Sequence, residues 1–128
     1  MTGKILLVDD DNAVRSAFVR TFRRVLSIEA CSGGDGALRS LEQHDFDLAF
    51  VDYSMPHMDG VTLARKIRER TPQLPCVLLT AHADANAVQE ALAAGVVALV
   101  LRKPWDRETI MDVVGRIARG LDERGLES

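Results

Sequence analysis

Four apolar runs in this chain each give way to a residue able to do chemistry. Asp9-Asp10-Asp11 follows Ile5-Leu6-Leu7-Val8, Asp52 follows Leu48-Ala49-Phe50-Val51, Thr80 follows Val77-Leu78-Leu79, and Lys103 stands two residues after Val97-Ala98-Leu99-Val100-Leu101. Any one of these is ordinary, since an Asp at the end of a strand commonly forms a turn or caps a helix. Brought to one point they would be a site. Three carboxylates within about 5 Å repel by roughly 3 kcal/mol per pair at an effective dielectric near 20, so the cluster invites a divalent cation. An all-oxygen set of this kind suits Mg²⁺. A lysine ammonium and a threonine hydroxyl facing the same point add a positive charge and a donor that a bare metal site does not need. They suit a phosphoryl group carried on Asp52.

What would bring them together is the alternation of the elements. Residues 4–8 read as a compact strand, and Val14, Ala17, Phe18, Thr21, Phe22 and Val25 then recur at helical spacing. Residues 27–31 form a weaker second strand, Ser32-Gly33-Gly34 a turn, and Ala37, Leu38 and Leu41 the stripe of a short second helix. The third strand ends at Asp52 before the Pro56 and Gly60 loop. Val61, Leu63, Ala64 and Ile67 mark a third helix that closes before Thr71-Pro72, and residues 75–80 a fourth strand. Residues 84–94 make a small-residue helix, with Val88, Ala91 and Leu92 on one side, stopped by Gly95. Residues 97–101 are a fifth strand, and Ile110, Val113, Val114, Ile117 and Leu121 an amphipathic last helix capped by Asp106.

Five apolar strands alternating with five helices predict an α/β doubly wound sandwich of three layers, its parallel sheet covered on both faces. All strand C-termini then share one edge, so Asp9, Asp10, Asp52, Thr80 and Lys103 should converge there.

With 128 residues and 47% hydrophobic content the chain fits one domain with a real core. A net charge of −3, with Lys and Arg spread over the helical faces, argues against nucleic-acid binding. No apolar run approaches membrane-spanning length and the first residues lack a secretory pattern, so a cytoplasmic protein that engages no membrane is expected. Cys31 and Cys76, without a CxxC or a nearby His pair, read as buried thiols.

The chain resembles the receiver domain of two-component response regulators. The likeness runs over residues 3–120 and is carried by Val8-Asp9-Asp10, Asp52-x-x-Met55-Pro56-x-Met58-Asp59-Gly60, Thr80-Ala81 and Lys103-Pro104, in order and on the expected strand ends. It implies a receiver domain over residues 1–120, strand order 2-1-3-4-5, with residues 121–128 a polar tail or the start of a linker. It also implies that Asp52 is the phosphoacceptor, attacking the phosphorus of a phosphohistidine on a histidine kinase or phosphotransfer protein. By the same resemblance Asp10, Asp52 and the backbone carbonyl of Ser54 bind Mg²⁺ (or Mn²⁺), with Asp9 helping through water. Lys103 pairs with Asp52 and then with the phosphoryl group, Thr80 hydrogen-bonds a phosphoryl oxygen, and the Lys103-Pro104 peptide is cis. The chain would be a switch that promotes its own phosphorylation, not an enzyme turning over an external substrate. Its output would be the surface of the fourth helix, fifth strand and fifth helix, read by an output domain, a target protein or a second copy in a homodimer. One position departs from the family pattern: Val100 stands where a swinging aromatic is usual, and it is expected to complete the strand-five core.

Other residues read more plainly. Asp11 is expected to be a solvated helix-start residue, His57 a solvated loop residue and His44 a helix-end residue. Trp105 should anchor the start of the last helix, and Met55 and Met58 should pack the loop. Tyr53, Ser54 and His82 flank the acceptor and Thr80, where they would affect acyl-phosphate lifetime. A Mg²⁺-dependent aspartyl phosphatase would need a second acid where Ser54 stands, and a flavodoxin-like cofactor binder a Ser/Thr/Gly loop where Asp9-Asp10-Asp11 stands. A phosphorylation-independent pseudo-receiver, acting as an interaction module, remains the alternative.

Overall fold

The computed structural model describes residues 4–127, with side chains described through residue 117. Strands and helices alternate in chain order: β1 (Lys4–Val8), α1 (Asn12–Phe22), β2 (Ser27–Cys31), α2 (Gly34–Gln43), β3 (Leu48–Asp52), α3 (Gly60–Arg70), β4 (Cys76–Thr80), α4 (Asn86–Ala93), β5 (Leu99–Arg102) and α5 (Arg107–Glu127). The strands form one parallel sheet in the order β2-β1-β3-β4-β5. The doubly wound architecture is thus as expected, with the first strand inside the sheet and β2 and β5 at its edges.

Alternation along each strand divides the core in two. Leu6, Val8, Ala49, Val51, Cys76 and Leu78 pack with Leu63, Ala64, Ile67, Val88 and Ala91 beneath α3 and α4. Ile5, Leu7, Leu48, Phe50, Val77 and Leu79 pack with Phe18, Phe22, Ile110, Val113 and Val114 beneath α1 and α5. Every residue of β3 is buried, which is why its sequence reads as an unbroken apolar run rather than an alternating one. Burying each large side chain contributes about 2 kcal/mol, and the central strands β1, β3 and β4 are buried almost throughout. Trp105 closes the α1/α5 layer as expected, with its ring 5.3 Å from that of Phe18 and 5.7 Å from that of Phe22.

The helix ends follow local chemistry. The Asp11 carboxylate accepts from the amides of Ala13 and Val14, and that of Asp59 from Thr62. Asp106 does the same for Thr109 at the start of α5, as its place in the sequence predicts. Gly95 ends α4 with φ of 73°, donating to the Leu92 carbonyl while Val96 donates to Ala91. That left-handed turn is open to glycine without steric cost.

Three expectations need correction. Val25 is 56% exposed, because α1 stops at Phe22 and the chain turns so that Leu26 enters the core instead. Leu92 lies on the outer side of α4, 37% exposed, while Val88 and Ala91 are buried. β5 begins at Leu99 rather than at 97, since the Val96-Val97-Ala98 segment is still completing the turn after α4. The helix of α5 continues past Gly120 to Glu127, and the Leu121 side chain lies outside the described residues.

Candidate functional site

Sheet register assembles the site. Val8 is paired with Val51, so the next residues, Asp9 and Asp52, emerge side by side from the two central strands. Thr80 pairs with Arg102 on the next two strands, which delivers Lys103 to the same edge. One oxygen from each of Asp9, Asp10 and Asp52 lies within 4.8 Å of the others, as expected of a cation-binding trio. The mouth above them holds about 300 Å³ and is lined by Asp9, Asp10, Asp11, Asp52, Ser54, Thr80, Ala81, His82 and Lys103.

Lys103 is the electrostatic keystone. Its Nζ lies 3.0 Å from Asp9 Oδ2 and 3.0 Å from Asp52 Oδ1, bridging the two buried carboxylates. Burial works against its charge, but the hydrogen bonds it donates to Asp52 and Asp9 outweigh it and hold the ammonium above its ordinary pKa. Burial pushes the Asp52 carboxyl upward, and the charges of Asp9 and Asp10 add to this, against the opposing pull of Lys103. One lysine therefore faces three carboxylates, and the mouth keeps an excess of negative charge. The donor set is all oxygen, with Asp10 exposed to the mouth while Asp9 and Asp52 are buried, and this fits a hard divalent cation.

The loops hold the trio in place. Asp9 Oδ1 accepts from the Asp11 amide at 2.9 Å, and Arg15 reaches back to donate to the Asp9 carbonyl at 2.7 Å. The amide of Gly60 donates to the Tyr53 carbonyl at 2.8 Å, which seats the N-terminus of α3 on the end of β3. A Cβ at Gly60 would overlap the Asp52 carbonyl oxygen and lie 2.9 Å from the Asp52 carbonyl carbon. Only glycine permits that approach. Thr80 is buried, and its Oγ1 accepts from the His82 amide at 2.9 Å, leaving the hydroxyl proton free to be donated. The Lys103-Pro104 peptide is cis, as expected.

A family model described as "Response regulator receiver domain" matches residues 5–115. The chain belongs to that family. Among similar proteins, the receiver is 37% identical to the response regulator protein FleR of Pseudomonas aeruginosa over 123 residues, covering 94% of this chain and 25% of FleR. It is 33% identical over 118 residues to the chemotaxis protein CheY of the same organism, covering 89% of this chain and 94% of CheY. A solved receiver domain, described as CheY-like, from Methanospirillum hungatei superposes with a TM-score of 0.83 at 26% identity, covering 100% of both chains. The receiver therefore spans about a quarter of FleR but nearly all of CheY.

Of the residues singled out in the sequence, Asp9, Asp10, Asp52, Thr80 and Lys103 come together, and Ser54 and His82 border the same mouth. His57 does not line it: the residue is exposed, in a left-handed turn with φ of 69°. His44 caps the end of α2, Met55 and Met58 pack on the core, and Val100 is half-buried against the α3/α4 layer. Cys31 and Cys76 are buried free thiols. Two contributors were not singled out. Arg15 carries a weak signal, a cation one turn into the helix that follows an acidic loop. The close approach of Gly60 was not singled out either, although the Asp59-Gly60 pair before a helix marks it. No helix among the described residues is long and apolar enough to cross a membrane.

Proposed function

We propose that this receiver is a phosphorylation-dependent switch in which Asp52 accepts a phosphoryl group from a phosphohistidine. The observation that carries the reading is Lys103 bridging Asp9 and Asp52 at 3.0 Å each, beside an exposed Asp10 and a buried Thr80 hydroxyl, on one sheet edge. In the proposed step a carboxylate oxygen of Asp52 attacks phosphorus, the P–N bond to the donor imidazole breaks, and an acyl phosphate forms on Asp52. Asp10, Asp52 and the Ser54 carbonyl would hold a divalent cation, Mg²⁺ or Mn²⁺, with Asp9 in support through water. When bound, that ion would supply positive charge to the transferring oxygens.

The chain's own groups do the rest. Lys103 keeps Asp52 ionised and oriented before transfer, then turns toward the phosphoryl oxygens. Thr80 donates its free hydroxyl proton to one of them. An apolar cleft of about 580 Å³ opens beside the mouth between Val14 and Ala17 on α1 and Pro104 and Trp105, which supports close docking of a protein donor, a histidine kinase or a phosphotransfer protein. The receiver promotes its own modification and hydrolysis and is not a turnover enzyme. A moved Thr80 loop would alter the face of α4, β5 and α5, with an output domain, a separate target or a second copy reading the change in the cytoplasm. Val100, half-buried and branched at Cβ, offers no rotamer swing, so backbone shifts would transmit it.

Intact mass after incubation with a small phosphodonor and Mg²⁺ tests the proposal. One added phosphoryl group, lost with Asp52→Asn and lost with a chelator, is expected. No adduct under conditions that label a known receiver would overturn it in favour of a phosphorylation-independent interaction module.

A further inference from the structure

On the side of α1 away from α5, a groove of about 410 Å³ runs between α1 and the edge strand β2. Val19 and Ala30 line it, and Arg15, Arg20 and Arg23 stand around it. This gathering corrects the expectation that the basic residues are merely spread over helical faces. It is also set against the charge of the chain: residues 12–26 carry four arginines and no acid, in a protein of net charge −3. Arg15 is committed to the Asp9 carbonyl and to Asn12. The guanidinium groups of Arg20 and Arg23 make no hydrogen bond or ion pair among the described residues.

The strand wall of this groove is an unpaired sheet edge. Among the described residues β2 is paired with β1 alone, and the Cys31 carbonyl accepts from the Asp9 amide on that side. A residue's N–H and C=O point the same way in a strand, and neighbours alternate, so Ile28 and Ala30 direct theirs outward. The side chains alternate too. Ile28 packs into the α1/α5 layer and Cys31 into the other, which turns Ala30 toward the groove and Glu29 away from it. Backbone pairing groups and two uncommitted arginines therefore face the same trough, whose strand wall at Ala30 is no bulkier than a methyl group.

We propose that this groove binds an acidic, extended segment of another protein, which adds as a strand to the free edge of β2 and places its carboxylates on Arg20 and Arg23. Strand addition supplies affinity through the backbone, and the arginines supply the choice of an acidic sequence. Nucleic acid fits less well. A long polyanion lying along α1 would run onto Asp9, Asp10 and Asp11 at its N-terminal end, whereas a short segment ends before them. The surface lies outside the phosphoryl site and does not depend on its chemistry.

The test uses the full chain and a fluorescein-labelled eight-residue peptide of alternating Glu and Val, followed by fluorescence anisotropy at low and physiological salt. Saturable binding that weakens with salt is expected. The double variant Arg20→Glu/Arg23→Glu should lower affinity by about tenfold, since each reversal replaces an exposed attraction with a repulsion of similar size. Arg24→Glu, the same charge change on an α1-flanking arginine outside the groove, should change it by less than about twofold. Ala30→Pro, which removes an outward N–H without breaking the β1 ladder, should also weaken binding, and circular dichroism verifies folding for each variant. No saturable binding below about 1 mM would overturn the proposal. So would an equal loss with Arg24→Glu, or tighter binding of a duplex DNA of matched charge. Phosphoryl uptake on Asp52, read by mass in the same samples, should be the same with and without peptide, so failure of either reading is seen separately.

Discussion

Replacing Lys103 with Met removes the only lysine or arginine among the described residues lining the mouth while keeping the length of the side chain. At 3.0 Å and an effective dielectric near 20, each of its pairs, with Asp9 and with Asp52, carries roughly 5 kcal/mol of attraction before solvation is counted. Desolvation of the three groups cancels much of that. What the variant loses is set by the carboxylates left behind, and truncating one partner of a buried pair costs about 3–5 kcal/mol. Lys103 is itself 24% exposed while Asp9 is wholly buried, so water screens part of the loss and about 3 kcal/mol is expected at pH 7. The pH dependence has a definite sign. Without the ammonium, the burial and neighbouring charges that already push the Asp52 carboxyl upward act unopposed in the folded state, so the penalty is present above its pKa and is relieved as pH falls and it takes up a proton. Urea unfolding of both proteins in chelator, at pH 7 and again near pH 4.5, measures the effect. A difference under about 1 kcal/mol at pH 7, or one that does not shrink on acidification, would refute the account of the mouth as a charge cluster held together by one lysine.

The other expectations concern single contacts. Asp52→Asn should raise the urea midpoint in chelator at neutral pH, because burial already favours the neutral form of this side chain; the advantage should fade as pH falls through the raised pKa of Asp52, and a lowered midpoint at pH 7 would contradict it. Gly60→Ala should destabilise by about 1–3 kcal/mol and slow phosphoryl uptake, since the new methyl meets the Asp52 carbonyl and comes to 2.9 Å from Leu78 Cδ1; helix propensity alone would make the same change favourable, so a stabilised variant would exclude the close approach. Burial pushes the Cys76 thiol from 9.0 up to about 12, so between those values only the unfolded chain ionises it and stability falls by up to about 1.4 kcal/mol per pH unit. Unfolding at pH 8 and pH 10 should show a steeper loss in the wild type than in Cys76→Ala, where the Cys31 thiol, also pushed up by burial, still contributes; equal slopes would mean that the Cys76 thiol is not sealed.

The parts of the site that lie on strands were legible in the sequence because a parallel sheet leaves few choices. Once Leu48-Ala49-Phe50-Val51 is read as a strand buried on both faces, Asp52 has to sit at its C-terminal edge, and the same logic places Asp9, Thr80 and Lys103. Residues whose role depends on where an element stops were not legible. Val25 keeps the helical spacing of Phe18 and Phe22, yet the hydrogen-bonded turn from Phe22 to Leu26 puts Leu26 inside. Leu92 differs from Ala91 by one helical step of about 100°, enough to move it from the buried side of α4 to the outer one. The basic groove needed still more. Arg15 and Arg20 lie on α1 and Arg23 at its C-cap, and nothing in their spacing shows that β2 leaves an open edge beside them.

The charge balance of the mouth and the rigidity of its supports point the same way. Asp9 and Asp52 extend from central strands buried on both faces, so the sheet cannot easily relieve their repulsion by letting them drift apart. One ammonium against three carboxylates leaves an excess negative charge, and phosphorylation would add a further 1.5 to 2 negative charges at that point. The groups that can respond sit at the end of β4 and just past the end of β5. In the proposed step Lys103 would exchange Asp52 for phosphoryl oxygens while keeping Asp9, and Thr80 has its hydroxyl proton unspent, with its oxygen already held by the His82 amide. In the proposed switch, drawing Thr80 inward would pull on His82 and the segment leading to α4, and with a short valine at position 100 in place of a large swinging side chain that backbone displacement would carry the signal outward.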